Sequence, residues 1–235
     1  MWNFTKKSDI AVLAFLVQVV ISAVTLPARA QAGNSYAAMA PLDQYLIADE
    51  NSEIALARTA APSSISDNAE VMVLGPKGFT TAVKGTNGFL CLVERSWGAA
   101  TDFPEFWNPK IRAPHCFNPQ AAKTFAPIFL MKTKLVLAGK SKAEILEATA
   151  SALDRKELPA LEPGAMAYMM SKQQYLNDGA KNWHPHVMFY VSGDATKSSG
   201  ANLPGSPVVA ASDPEERVTI LMVWAGQWSD GTSAP

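Results

Sequence analysis

The chain holds three histidines, and two of them, His184 and His186, are separated by one proline. Alternate residues of an extended segment point to the same face. This spacing therefore brings two imidazoles toward one ligand or one metal ion. Two imidazoles do not make a zinc site, which takes three or four protein ligands. His115 is the remaining histidine, and Glu94, Asp102 and Glu105 are carboxylates that could join a set. No spacing commits any of them. A second reading of the pair needs no ligand: both rings hydrogen-bond loop backbone at the mouth of a strand. His184 and His186 thus stand as candidate metal ligands. Together with Trp183 they also stand as candidate ligand-binding residues.

Other reactive residues are constrained by what surrounds them. Cys91 and Cys116 are the only cysteines. In an oxidising compartment an even count predicts a disulfide; two buried thiols or a thiolate metal site are the alternatives. The spacing is not the C-x-x-C of a redox pair. Ser171-Lys172 invites comparison with serine acyl enzymes, which place the lysine three residues after the serine. Here that position is Gln174, and no serine sits in a G-x-S-x-G turn. Gly139-Lys140-Ser141 imitates the end of a phosphate-binding loop, but the glycine required five residues earlier is Lys134. Ser141 with Glu144 reads instead as a capping box that opens a helix. The segment 200–207, Gly-Ala-Asn-Leu-Pro-Gly-Ser-Pro, has a shape fixed by its glycines and prolines. Loops of this kind form pocket walls, which makes Asn202 a further candidate ligand-binding residue; a rigid cover over a sheet edge is the other reading. No motif names a cofactor.

Several segments carry a resemblance. They are Ser171-Lys172-Gln173-Gln174-Tyr175-Leu176, Trp183-His184-Pro185-His186, the 200–207 loop and Trp228-Ser229-Asp230-Gly231-Thr232. With them go Lys84-Gly85-Thr86-Asn87-Gly88-Phe89 and the stretch from Phe106 to Pro114. Together they resemble a group of exported bacterial proteins known only as uncharacterised. The resemblance covers residues 60 to the C-terminus and implies export, with no activity or catalytic residue attached.

The N-terminus points the same way. Lys6 and Lys7 precede an apolar run, 10–24, and Ala28-Arg29-Ala30 offers a small-x-small cleavage site. The run is shorter than the roughly 20 residues of a membrane span. Residues 1–30 are therefore expected to be a cleaved signal peptide, 31–41 a flexible leader, and 42–235 one domain, periplasmic or secreted. Cleavage removes three basic residues and one acidic one and moves the formal charge from −1 to −3. That charge provides no basic field for nucleic acid or anionic lipid. No later stretch is long and apolar enough for a stable span.

Periodicity supplies the elements. A helix is expected over 42–60, and strands over 70–74, 79–84 and 89–94, the last two joined by a hairpin at Thr86-Asn87-Gly88. The third strand is apolar on both faces and is expected to be central, with Glu94 and Arg95 marking its exit from the core. Residues 96–118 read as an irregular, aromatic loop. Asn118-Pro119 opens a helix that kinks at Pro127, and Ser141 opens one to residue 154. Strands over 165–170, 187–191 and 217–224 complete the chain, the last two joined by a long loop, 193–213. The expectation is a single α+β domain with an antiparallel sheet of about six strands and helices packed on it, in the order helix, three strands, two helices, three strands.

The functional expectation is a non-enzymatic periplasmic module that binds or senses a small molecule. Its pocket would lie between 183–186, 96–118 and 200–207. The alternatives are a metal-dependent, hydrolase-like enzyme centred on His184 and His186, and an envelope interaction protein. No motif fixes the oligomeric state.

Overall fold

One eight-stranded sheet organises residues 36–234, the part of the chain that the computed structural model describes. The expected signal peptide and the first five residues of the expected leader lie outside the described residues. The strands are β1 (Glu70–Gly75), β2 (Gly78–Val83), β3 (Leu90–Glu94), β4 (Ala113–Phe117), β5 (Met166–Met169), β6 (His186–Ser192), β7 (Val208–Asp213) and β8 (Val218–Trp224). They lie in the order β2-β1-β3-β4-β5-β6-β8-β7. Five helices accompany them: α1 (Glu50–Arg58), α2 (Ser63–Ser66), α3 (Pro119–Thr124), α4 (Ala126–Leu137) and α5 (Lys142–Asp154).

The expected six-stranded antiparallel sheet is corrected in two respects. The sheet is mixed, because β3 runs parallel to β1 instead of forming a hairpin with β2. Asn87 does not turn one strand onto the next: its amide donates to Ile65 O, and Thr86 N donates to Asn68 O. The chain crosses the start of β1 at Gly85, where any side chain would overlap the Glu70 backbone. The sheet also has two more strands than expected. β4 carries Pro114, a residue type kept out of central strands, but β5 pairs only with Cys116 and Phe117. Pro114 therefore sits where β4 has one partner. β7 lies inside the Gly/Ser/Pro-rich stretch that read as loop, and it pairs with β8 along its whole length.

The helices follow their caps. Asp49 accepts from Asn51 N and Ser52 N and starts α1, so the expected 42–60 helix is a 3-10 turn, Leu42–Gln44, followed by a shorter helix. Asn118 caps α3, and the break before Pro127 falls at Phe125. Ser141 and Glu144 form the capping box of α5. Residues 36–41, assigned to the leader by composition, are tied to the domain: Tyr36 donates to Asp178 at 2.6 Å, and Ala40 N donates to the Tyr45 hydroxyl.

Register sorts the two faces. Leu90, Leu92 and Glu94 of β3 share a face with Ala113, His115 and Phe117 of β4. That face carries on to Ala167, Met188 and Met222; the apolar side chains of α3 and α4 pack on the sheet, and α5 packs against α4. On the other face α1 covers β1, β3 and β4. There Cys91 and Cys116 are cross-strand partners joined by a disulfide, with Cα atoms 4.0 Å apart. The expected bridge is present.

Candidate functional site

The polar residues that end β3 do not leave the core. Glu94, Arg95 and Ser96 are 8 %, 1 % and 1 % exposed, contrary to the exit expected there. Arg95 is absorbed by structure. It donates to Tyr45 O, to Val93 O and to Glu53, whose carboxylate lies 2.9 Å away and is itself buried. Glu94 and Ser96 are left to line a cavity of about 280 Å3 between the helix-covered face of the sheet and the 96–103 segment. Phe103, Ile111, Phe125, Met188, Tyr190 and Ile220 form most of its apolar wall.

Local backbone explains why Glu94 can sit there. The chain turns after β3 in a short 3-10 turn, Ser96–Gly98. Gly98 closes over the Glu94 carboxyl, and a Cβ at that position would overlap Oε2. Ser96 Oγ is buried in this turn with no hydrogen-bond partner in the protein. His115 reaches the same cavity from β4, its ring stacked on Phe117 at 5.6 Å.

Electrostatics in this enclosure favour neutral groups. Burial pushes the Glu94 carboxyl up to about 8, against an opposing pull from Lys132. Burial holds the His115 imidazole down at about 4. The two lie 3.7 Å apart, Oε2 to Nδ1, but a protonated acid beside a neutral ring is not an ion pair. His115 Nδ1 lies 3.0 Å from Ala113 O, which assigns the ring proton to Nδ1 and leaves Nε2 as an acceptor. On the opposite rim Lys132 donates to Ala99 O and to Glu216 at 2.7 Å. Burial raises the Glu216 carboxyl.

The candidates read from the sequence lie beside this cavity. His186 is 1 % exposed, His184 is exposed, and both rings pack against Trp224 at 5.9 and 5.4 Å. Trp183 meets Trp224 edge-on at 4.4 Å and His186 at 5.0 Å. His186 Nδ1 lies 2.7 Å from His184 O, so one histidine is bonded to the backbone of the other. Burial holds the His186 imidazole at about 4. Met169 pairs with His186. Continuing the β4–β5 register by one residue puts His115 across from Met169, so the two buried histidines flank it on one face. Among the described residues no group of three or more His, Cys, Asp or Glu side chains is gathered for a metal ion.

Asn202 works within its own loop. It adopts φ 60°, its amide donates to Ala210 O, and its carbonyl accepts from Ala210 N, both at 3.0 Å. Of the three segments expected to wall a pocket, 96–118 lines this cavity and neither 183–186 nor 200–207 does. Ser171 and Lys172 are structural too: Ser171 Oγ bonds Thr59 Oγ1 at 2.6 Å, and Lys172 pairs with Asp230. Sequence reasoning placed Glu94 and His115 only in a metal set and passed over Ser96. The available signal was a Glu-Arg-Ser triplet directly following a strand apolar on both faces.

No protein-family model, curated protein or solved structure matches the chain. The reading of the site rests on its residues and their geometry.

Proposed function

We propose that this is an exported, non-enzymatic binding module whose cavity takes a small molecule with an apolar body and one uncharged polar group. The observation that carries the proposal is the pairing of Ser96, a lining residue whose buried Oγ has no protein partner, with the buried Glu94 carboxyl two residues before it. An unsatisfied buried hydroxyl costs about 1–3 kcal/mol, and a bound polar group removes that cost. The neighbouring groups suit the same ligand. Protonated Glu94 is a donor, His115 Nε2 is an acceptor, and the surrounding wall is apolar. The charged residues of the lining, Arg95, Asp213 and Glu216, are engaged with Glu53, with the Glu215 and Glu216 amides, and with Lys132, so a charged ligand would lose its hydration with no free counter-charge to meet.

The depressed His115 imidazole argues against its use as a general base. An efficient general base has a pKa near the working pH, whereas His115 is held at about 4. Export is supported by the basic and apolar N-terminal segments and by the disulfide; no helix among the described residues is long and apolar enough to cross a membrane.

Crystals of the mature chain soaked with a set of uncharged amphipathic fragments test the proposal. A fragment should occupy the cavity with its polar atom at Ser96 Oγ or the Glu94 carboxyl. Its affinity should fall about tenfold or more in Ser96→Ala/Glu94→Leu, as expected for losing hydrogen bonds worth 1–2 kcal/mol each. Fragments that never enter the cavity, or that bind the variant equally well, would overturn the reading.

A further inference from the structure

A second cavity, of about 570 Å3, lies between the C-terminal end of α5 and the strands β6 and β8. Its wall is aliphatic, with Ile128 from α4, Leu153 from α5, Leu158, Leu161 and Val218. Phe125 and Glu216 form part of both cavities. Lys156, two residues after α5, and Arg217, immediately before β8, line the second one alone. We infer that it is a binding site for a molecule with an aliphatic body and one anionic head, held by Lys156 and Arg217.

The backbone at these two residues is unusual in the same way. Both adopt the left-handed conformation, each with φ 57°. Glycine takes up that conformation freely, and residues with a Cβ resist it. The position after a helix and the turn before a returning strand are both places where glycine is the common choice. At each the chain carries a long cation instead. The Lys156 side chain is not needed for the local fold. Lys156 N and Glu157 N close α5 by donating to Leu153 O and Ala152 O, so the helix end is satisfied by backbone. Asn202 and Lys181 share the conformation; the bonds of Asn202 to Ala210 account for it there, and Lys181 closes the 177–181 turn by donating to Asn177 O and accepting from Leu176 N.

The charges at the opening leave room for an anion. Glu216, the acid on the wall, is taken up by Lys132 at 2.7 Å. Arg217 donates one N–H to Asp154 at 2.6 Å, a pair whose side chains are 49 % and 67 % exposed. Such a pair is held weakly, and a guanidinium has five N–H donors. A carboxylate arriving from the cavity side meets Lys156 and the free edge of Arg217, while its chain covers the aliphatic wall.

Calorimetry on the mature protein with decanoate, decanol and decyltrimethylammonium tests this. Decanoate should bind one to one and at least tenfold more tightly than the other two. Lys156→Gly/Arg217→Gly should keep the melting temperature, because glycine suits both backbones. It should lose at least tenfold in decanoate affinity and leave decanol unchanged. Ser96→Ala/Glu94→Leu should bind decanoate like the parent, which separates this site from the first cavity. Phosphatidylglycerol vesicles distinguish the source of the anion: capture that requires Lys156 and Arg217 points to a lipid, and decanoate binding alone points to a free acid. Decanoate that binds no better than decanol, or equally well to the double glycine variant, would overturn the assignment.

Discussion

Glu94 and His115 lie 3.7 Å apart in one enclosure, and burial moves their acidities in opposite directions, to about 8 and about 4. Their ordinary values are 4.5 and 6.5, so folding keeps a proton on the acid and keeps one off the ring. Between pH 4.5 and 8 the folded chain retains a Glu94 proton that the unfolded chain has lost, and stability falls as pH rises. His115 and His186 are both depressed from 6.5 to about 4, so over that window the unfolded chain binds more protons and stability falls as pH drops. Glu216, also raised by burial, acts with Glu94, so the two histidines and the two carboxyls oppose each other below pH 6.5, and above it only the carboxyls act. Melting temperature should therefore fall from pH 6.5 to pH 8, and Glu94→Gln should flatten that decline. An unchanged alkaline decline in that variant would show that Glu94 ionises normally.

Arg95 and Glu53 make the buried ion pair that anchors α1 to β3. Glu53 Oε1 also accepts from Leu74 N. Removing one partner leaves an uncompensated buried charge, so Glu53→Ala should cost about 3–5 kcal/mol in urea denaturation. Glu53→Leu/Arg95→Met should cost less than the single change, since both charges leave together. A double variant less stable than the single one would contradict this.

The Cys91–Cys116 bridge spans 25 residues and is fully buried between α1 and the sheet. Closing a loop of that length stabilises by about 3–4 kcal/mol on the chain-entropy account. Cys91→Ala/Cys116→Ala should lose a comparable amount. The native protein should resist thiol alkylation in mild reductant, because reagent reaches the bridge only after unfolding. Rapid alkylation of folded protein would refute the buried placement.

What the sequence made legible was local. Asn118 before Pro119, Ser141 with Glu144, and the short β-forming runs of the six expected strands each state their structure within a few residues. β4 and β7 were hidden because neighbouring prolines, glycines and serines outweighed short runs whose partners lie elsewhere in the chain; β7 is held by β8 alone. The parallel pairing of β1 and β3 was likewise invisible, because Asn87 and Gly88 serve a crossing and a hairpin equally well. The cavity was the least legible feature. It needs Glu94, Ser96 and His115 brought together by register, and Gly98 close enough to bury the carboxyl. Glu94, Ser96 and Gly98 are neighbours in the chain, but their meeting with His115 is not a spacing along it.

His184 and His186 had equal standing as a pair in the sequence, and the structure separates them. His186 is enclosed by Trp183 and Trp224 and bonded to His184 O, whereas His184 is exposed and rests against one edge of Trp224. Truncating an enclosed ring leaves a void that the surroundings fill only in part, at about 2–4 kcal/mol. An exposed ring costs about 0.5 kcal/mol or less. His186→Ala should therefore lower the melting temperature by many degrees and weaken the acid decline in stability, because a ring held at about 4 no longer resists protonation. His184→Ala should leave both nearly unchanged. Metal titration of the parent and of each variant completes the test. Matched losses of a bound metal in the two variants, with little change in stability, would show a shared metal site instead of one structural and one exposed histidine.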